Sequence, residues 1–382
     1  MAELLNLGVF YNSSVCRWHL EKFKTISLDA CIVYDDVHLY IRSTQPKNIA
    51  VLHWPYPYTP EFGELVDRIY DFSDQIFILM SEVHQPTTEF IQNYDRDKIS
   101  YYIAGTLKNP PQHAKLHNWM DWFITTRYFY RDYLPEVVDR IRYCEPKPIK
   151  FDILLGRKKL HRECVYNYVK ANVDYHDFVM RYFNNPARKE IADDYEYWVQ
   201  ETRGLKVTKP VTWTVDKVEY YGNEMSLSQI IPIELYNKTA YTVVAETNWA
   251  SYYTFFTEKT VKPIIGRRLF IMVGGKGYLQ TLRDMGFQTF DGIIDESYDD
   301  MDDDLLRFDA IGEQIAWLCK QDQNEIMTQI RPIVEHNYNH LMTREWYAEF
   351  STQFENEVLL LINNAKVGPT SVTQTDPTHG PA

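Results

Sequence analysis

The sequence predicts an α/β protein made of two Rossmann-like domains that face each other across a cleft. Three observations predict it. Short apolar runs rich in β-branched and aromatic residues alternate with helical patterns, roughly one strand every 20 residues, as in a parallel sheet covered by helices. The alternation stops at a proline-rich joint, Glu145-Pro146-Lys147-Pro148, and then restarts. Polar residues stand at the carboxyl ends of the predicted strands, the edge at which open α/β sheets bind ligands.

The chain's 382 residues suffice for two domains, and 45% hydrophobic content supplies a core for each. The expected division is 1–148, 149–342, a closing helix at 343–364 and a disordered tail at 365–382, AKVGPTSVTQTDPTHGPA being its core sequence. A net charge of −13 argues against a broad nucleic-acid surface. The 29 Tyr and 9 Trp fit a protein that handles sugars, although core packing accounts for most of them. Five scattered cysteines, without Cys-x-x-Cys or Cys/His spacing, imply a reduced protein without structural zinc. No apolar run approaches the ~20 residues of a membrane helix. The start MAELLNLGVF lacks the basic region and cleavage site of a signal peptide, so a cytoplasmic location is expected, the host cytoplasm if the protein is viral. Oligomeric state is left open.

In the first domain, Leu5–Phe10, Ala30–Tyr34, Ile49–His53 and Gln75–Met80 read as strands. Val15–Lys24 and Glu61–Asp71 read as helices, and the WPYPYTP turn after His53 is stiffened by three prolines. Asp35, Asp36, His53, Glu82 and His84 fall at strand ends and would line one crevice. Residues 105–148 are less regular. Their arginines Arg127, Arg131, Arg140 and Arg142 suit either a phosphate track or an ordinary helix surface.

The second domain opens with a strand, Phe151–Leu155, followed by the glycine-led basic turn Gly156-Arg157-Lys158-Lys159-Leu160-His161-Arg162 and a helix over 163–172. Strand, glycine, cations and a helix start together suit an anion. Residues 173–225 carry no clear pattern. Tyr241–Ala245 is a buried strand that ends at Glu246. Thr257 is the expected N-cap of a helix with Glu258 in its first turn, and Lys259 and Lys262 share a face of that helix. Pro263 inside it predicts a kink. Leu269–Val273 is a further strand running into Gly274-Gly275-Lys276-Gly277, then a helix over Tyr278–Met285 and a short strand at Gln288–Phe290. The acids between Asp291 and Asp304 could hold a divalent ion or form a solvated face. Two helices over Phe308–Asn339 precede the closing helix.

Several common nucleotide and hydrolase signatures are missing. Neither domain has Gly-x-Gly-x-x-Gly after its first strand, and no Gly-x-x-x-x-Gly-Lys-Ser/Thr or Gly-x-Ser-x-Gly occurs. What the sequence does carry is Phe256-Thr257-Glu258-Lys259, then Lys262-Pro263 and an apolar strand ending at Gly274. This pattern resembles the nucleotide-sugar motif of alpha-fucosyltransferases and related two-domain GT-B glycosyltransferases. The turn Leu155-Gly156-Arg157-Lys158 with His161-Arg162 is similar to the donor-phosphate turn that opens their second domain. The stretch from Glu246 to Asp295-Glu296-Ser297-Tyr298 is similar to glycosyltransferase-like proteins of bacteriophages and large viruses. The likeness covers residues 151–340; the first domain shares only its architecture.

The resemblance implies a glycosyltransferase with a donor-binding second domain and an acceptor-side first domain. The donor would be a UDP- or GDP-sugar, and no metal would be required. Arg157, Lys158, Arg162, Lys259 and Lys262 would supply cations for the diphosphate, with Thr257 opening the helix beside it. Glu258 would bind a nucleoside or sugar hydroxyl, and Glu246 would sit near the donor sugar. A base for an inverting reaction would come from Glu82, His84, Asp36 or His53. The acceptor would be a surface glycan or, in a phage setting, a hydroxymethylated DNA base, which must be flipped from the duplex to be reached. A nucleotide- or sugar-binding protein without catalysis is the alternative.

Overall fold

A computed structural model describes residues 5–10, 31–43, 48–54, 59–81, 85–112, 115–183, 205–206, 217–251, 253–349, 352–354 and 356–357. In the first domain the strands are β1 (Leu5–Phe10), β2 (Cys31–Tyr34), β3 (Asn48–His53), β4 (Gln75–Met80), β5 (Ile99–Ile103), the two-residue β6 (Thr106–Leu107) and β7 (Lys115–Asn118). The helices are α1 (Val37–Ile41), α2 (Pro60–Tyr70), α3 (Gln85–Asn93), α4 (Asp121–Asp132) and α5 (Pro135–Val138). Six strands form one sheet in the order β2-β1-β3-β4-β5-β7, and every pairing is parallel.

Side-chain alternation along these strands divides the sheet's two faces. Ala50, Leu52, Ile76, Ile78, Met80, Tyr101 and Ile103 pack with Phe62, Val66 and Ile69 of α2 and Phe90 and Ile91 of α3. Leu7, Val9, Ile49, Val51, Phe77, Leu79 and Tyr102 face the other way and merge with the core of the second domain. The expected strands 5–10 and 75–80 match to the residue, whereas α3, β5 and β7 carried no readable pattern. The expected helix at 15–24 lies outside the described residues.

The second domain contains β8 (Ile149–Arg157), α6 (Leu160–Asn172), β9 (Phe178–Phe183), β10 (Leu205–Lys206), β11 (Lys217–Tyr220), β12 (Asn223–Ser226), α7 (Ile233–Lys238) and β13 (Thr239–Ala245). It continues with β14 (Tyr253–Thr254), α8 (Glu258–Ile265), β15 (Phe270–Val273), α9 (Tyr278–Asp284), α10 (Asp304–Cys319) and α11 (Gln323–Thr343). Its main sheet is β15-β13-β8-β9, again parallel throughout. A small antiparallel sheet, β10-β11-β12, occupies part of the stretch that had no clear sequence pattern.

The expected strand at 288–290 does not form. Its backbone amides are taken by side chains instead: Gln288 N–H donates to Asn337 Oδ1 and Phe290 N–H to Glu296 Oε1, both at 2.8 Å. Period-two reading could not foresee that these side chains would replace a neighbouring strand.

The carboxyl edges of the two sheets meet. The loop leaving β5 supplies β6, the loop leaving β13 supplies β14, and the two pair antiparallel, Thr106 against Thr254 and Leu107 against Tyr253. Gly105 allows this approach, since a Cβ there would lie 1.9 Å from the Thr254 carbonyl oxygen. Lys108 Nζ also donates to the Lys276 carbonyl at 2.5 Å.

Other contacts between the halves are structural. Arg127 of α4 is buried and donates to the carbonyls of Leu341, Met342 and Arg344 at the end of α11. Arg131 pairs with Asp132 and Glu345, Arg140 bonds Tyr221, and Arg142 bonds Asn237. Arg127, Arg140 and Arg142 thereby tie the stretch 121–142 to the second domain. Residues 346–349, 352–354 and 356–357 are helical. Phe354 packs on Phe77 and Tyr102, and Glu357 bonds Ser100 and His117, so the closing segment returns to the first sheet.

Candidate donor site

The site is built at the carboxyl edge of the second sheet, where β8 and β13 end against α8. Gly156, with φ +61°, sits in β8 at a register shift between Leu154 and Gly156, one residue before the strand ends. The turn then enters α6 with His161 and Arg162 both buried. His161 Nε2–H donates to the Glu246 carbonyl at 2.9 Å. Burial, and then the Arg162 charge, hold its imidazole well below the usual histidine range and therefore neutral. Arg162 Nη2 donates to the Ala245 and Glu246 carbonyls, and Lys159 Nζ to the Thr247 carbonyl. Half of the basic turn is thus spent fixing the end of β13. Arg162, expected at the diphosphate, is one of these fixing residues. Lys158 is exposed and pairs with Glu163 at 2.7 Å. Arg157 ends β8, and its side chain lies outside the description.

Glu246 has a different task from the one expected of it. It is fully buried, and its carboxylate accepts from Thr257 N–H (2.9 Å), Thr257 Oγ1 (2.8 Å), Thr260 Oγ1 (2.5 Å) and Thr247 N–H (3.0 Å). It locks the start of α8 rather than facing a sugar. Thr257 is the N-cap foreseen from sequence, its Oγ1 accepting from Lys259 N–H at 3.3 Å. Pro263 lies within α8.

Glu258, Lys259 and Lys262 line a pocket. It offers about 120 Å³ and is lined by Asp152, Leu154, Gly156, Arg181, Leu227, Ser228, Tyr236, Thr242–Ala245, Glu258, Lys259 and Lys262. A single water needs roughly 10–15 Å³ of such room, so this space fits a ligand. Glu258 is buried; burial raises its carboxyl, but Lys259 and Lys262 outweigh it and hold the group below the ordinary range. Lys259 Nζ bonds Glu258 Oε1 at 2.7 Å and Thr247 Oγ1 at 3.1 Å. Lys262 Nζ donates to the Ser228 carbonyl at 2.6 Å. Burial pushes its ammonium down to about 8, with Glu258 opposing. The sequence therefore placed Glu258, Lys259 and Lys262 in one pocket, while Asp152, Arg181 and Ser228 gave no signal. They reach it only because β8, β9 and the 3₁₀ turn Leu227–Gln229 converge there.

On the first-domain side, Asp36 is exposed and caps α1, accepting from His38 N–H (2.7 Å) and Leu39 N–H (3.1 Å). Those bonds hold its carboxyl below the usual range. The cap explains an acid at that strand end without a ligand. Glu82 and His84 lie outside the described residues. His53, at the end of β3, bonds Ser81 Oγ at 3.1 Å, and Ser81 donates to Asp121 Oδ2 at 3.0 Å. Burial raises the Asp121 carboxyl. Ser81 and Asp121 were not singled out in the sequence, because only the fold joins the ends of β3 and β4 to the start of α4.

The acidic stretch is explained by capping and pairing. Asp299 accepts from Leu279 and Gln280 N–H, Asp303 caps α10, Asp302 pairs with Lys276, and Asp304 with Arg307. Among the described residues no three His, Cys, Asp or Glu side chains converge as a metal site needs. No helix among them is long and apolar enough to cross a membrane.

Fold and pocket together define a two-sheet Rossmann-like α/β protein with a charged pocket at the carboxyl edge of its second sheet. No family model matches the sequence, and no curated protein matches it. Among solved structures, an alpha,alpha-trehalose-phosphate synthase (UDP-forming) from Burkholderia vietnamiensis is similar at 8% identity and a TM-score of 0.39, over 89% of this chain and 83% of that one.

Proposed function

We propose that the protein is a GT-B-type glycosyltransferase that takes a nucleotide-sugar donor in the second domain and an acceptor hydroxyl from the first. The observation that carries this reading is the pocket in which Glu258, Lys259 and Lys262 converge beside an apolar sheet face. Carboxylate, cations and apolar wall match ribose hydroxyls, diphosphate and a nucleobase respectively. The pairing of β6 with β14 supports the arrangement, since it holds the other sheet's carboxyl edge alongside.

In this mechanism Lys259 and Lys262 stabilise charge on the departing diphosphate, so no metal is called for. The start of α8 is capped by Thr257, whose Oγ1 accepts from Lys259 N–H. On the acceptor side, the hydroxyl proton goes to a base of the first domain, for which Glu82, His84, Asp36 and His53 are the candidates from sequence. The acceptor is a glycan or a modified DNA base, and the chain acts in the cytoplasm.

Thermal shift with UDP-, GDP-, ADP- and CMP-sugars tests the donor site, because a ligand bound only by the folded state raises Tm. One nucleotide is expected to stabilise the wild type and to lose most of its effect in Lys259→Ala. Absence of any shift in the wild type would leave the glycosyltransferase reading without its support.

A further inference from the structure

One wall of the pocket belongs to the second domain but is fastened to the first. Leu227 and Ser228 of the 3₁₀ turn line the pocket, and the turn's last residue, Gln229, is buried against α4. Gln229 Nε2 donates to Thr125 Oγ1 (3.2 Å) and Thr126 Oγ1 (3.1 Å), while its Oε1 accepts from Ser226 N–H (3.1 Å). The backbone of the turn is gripped by the same helix. The Tyr130 hydroxyl donates to the Gln229 carbonyl at 3.3 Å and accepts from Ile231 N–H at 2.6 Å.

This turn presents one polar group to the pocket's cations. The Ser228 carbonyl accepts from Lys262 Nζ at 2.6 Å, whereas Lys259 bonds Glu258. A lysine ammonium carries three donors on a flexible stem, so the acceptor that takes one of them decides where the charge sits. Here that acceptor is a backbone atom, which moves only if the turn moves. The helix carrying Lys262, α8, also packs against α4. One helix of the first domain therefore braces both ends of the Lys262–Ser228 bond. Breaking the joint would strand buried donors and acceptors on each side, and that cost holds the turn in place.

We infer that Gln229 is a positioning residue of the pocket, fixing the Lys262 ammonium through the Ser228 carbonyl. Because its partners lie on α4, the pocket's cation is in place only while the first domain is docked. The inference rests on the donor-site reading above for what the cation meets, and on the joint alone for how the cation is held. Ligand affinity and domain docking are then coupled, and each must favour the other to the same extent.

The first arm of the test is free of ligand. Isotope-labelled lysine Cε resonances of the whole protein are followed against pH, with Lys262→Met identifying the signal. In the wild type the ammonium titrates at about 8, chiefly because it is buried. Gln229→Met keeps the side chain's length and loses its bonds to α4. It should move the titration up toward the ordinary lysine value of about 10.4, as water enters beside the loosened turn. Tyr130→Phe loosens the turn from the first domain and should move it the same way. Both variants are checked by circular dichroism, and if one fails to fold the other carries the test.

In the second arm, uridine and guanosine diphosphates are titrated by calorimetry. Gln229→Met should weaken whichever binds by about tenfold, as expected for one charge-assisted contact. In the Lys262→Met background the same change should cost less than about twofold, since the residue acts through that lysine. An unmoved Lys262 titration overturns the inference. So does an equal loss in both backgrounds, because a glutamine of merely structural importance weakens binding whether or not the lysine is present. If the titration moves but neither diphosphate binds, the positioning role stands and the glycosyltransferase reading loses its support.

Discussion

Glu246 and Thr257 stand eleven residues apart in sequence and are joined twice, the carboxylate accepting from the threonine amide at 2.9 Å and from its hydroxyl at 2.8 Å. With Thr260 and the Thr247 amide, this carboxylate closes the loop between β13 and α8 into a rigid unit. The pocket's Glu258 and Lys259 follow directly from that anchor. Their positions are therefore set by a residue that does not line the pocket.

Glu246→Ala should consequently act on stability before binding. It leaves two amide and two hydroxyl donors without their acceptor, and a buried unpaired donor costs roughly 1–3 kcal/mol. Some of these will find water, so a loss of about 3 kcal/mol or more is expected in chemical denaturation. Lys158→Ala removes an exposed side chain paired with the partly exposed Glu163 and should cost under about 1 kcal/mol. If Glu246→Ala unfolds no more easily than Lys158→Ala, the anchoring role is mistaken.

These two residues also mark how far the sequence could be read. The strand ending at Glu246, the Thr257 cap and the shared face of Lys259 and Lys262 were all legible, because each depends on local periodicity or capping. The division of labour between them was not. An acid at a strand's carboxyl end looks the same whether it meets a ligand or anchors the cap of the next helix, and Arg162 shows the same ambiguity for a cation. Asp152 reads as an ordinary interruption of FDILL, since its meaning comes from Arg268, distant in sequence but 2.6 Å away in space. Likewise β5, with every residue buried, shows no alternation to distinguish it.

Gly105 governs how the two sheet edges meet. The Cβ of Gly105→Ala would lie 1.9 Å from the Thr254 oxygen, a backbone atom that cannot rotate away. The β6–β14 pair must then separate, with loss of its hydrogen bonds and strain of about 2 kcal/mol or more. Hydrogen exchange should show faster exchange at 106–107 and 253–254, with little change in the central strands β4 and β13. Unaltered protection at those four residues would mean the pairing does not depend on the glycine's size.

Lys262 gives the site a pH dependence whose two consequences run in opposite directions. Burial lowers its ammonium to about 8, so it is charged at pH 7 and largely neutral at pH 9. A diphosphate therefore loses a cation as pH rises through 8. Its affinity should fall about tenfold between pH 7 and 9, corresponding to about 1.4 kcal/mol for one charge-assisted contact. Stability of the free protein responds the other way. The unfolded lysine titrates near 10.4, so between about 8 and 10.4 the unfolded chain binds more protons than the folded one, and this group's contribution to stability rises with pH. Lys262→Met should remove both trends, leaving nucleotide affinity weak and nearly flat from pH 7 to 9. Calorimetric titration across that range, paired with denaturation of the free protein, checks the sign of each. A steep fall in affinity that persists in Lys262→Met would assign the titration to another group.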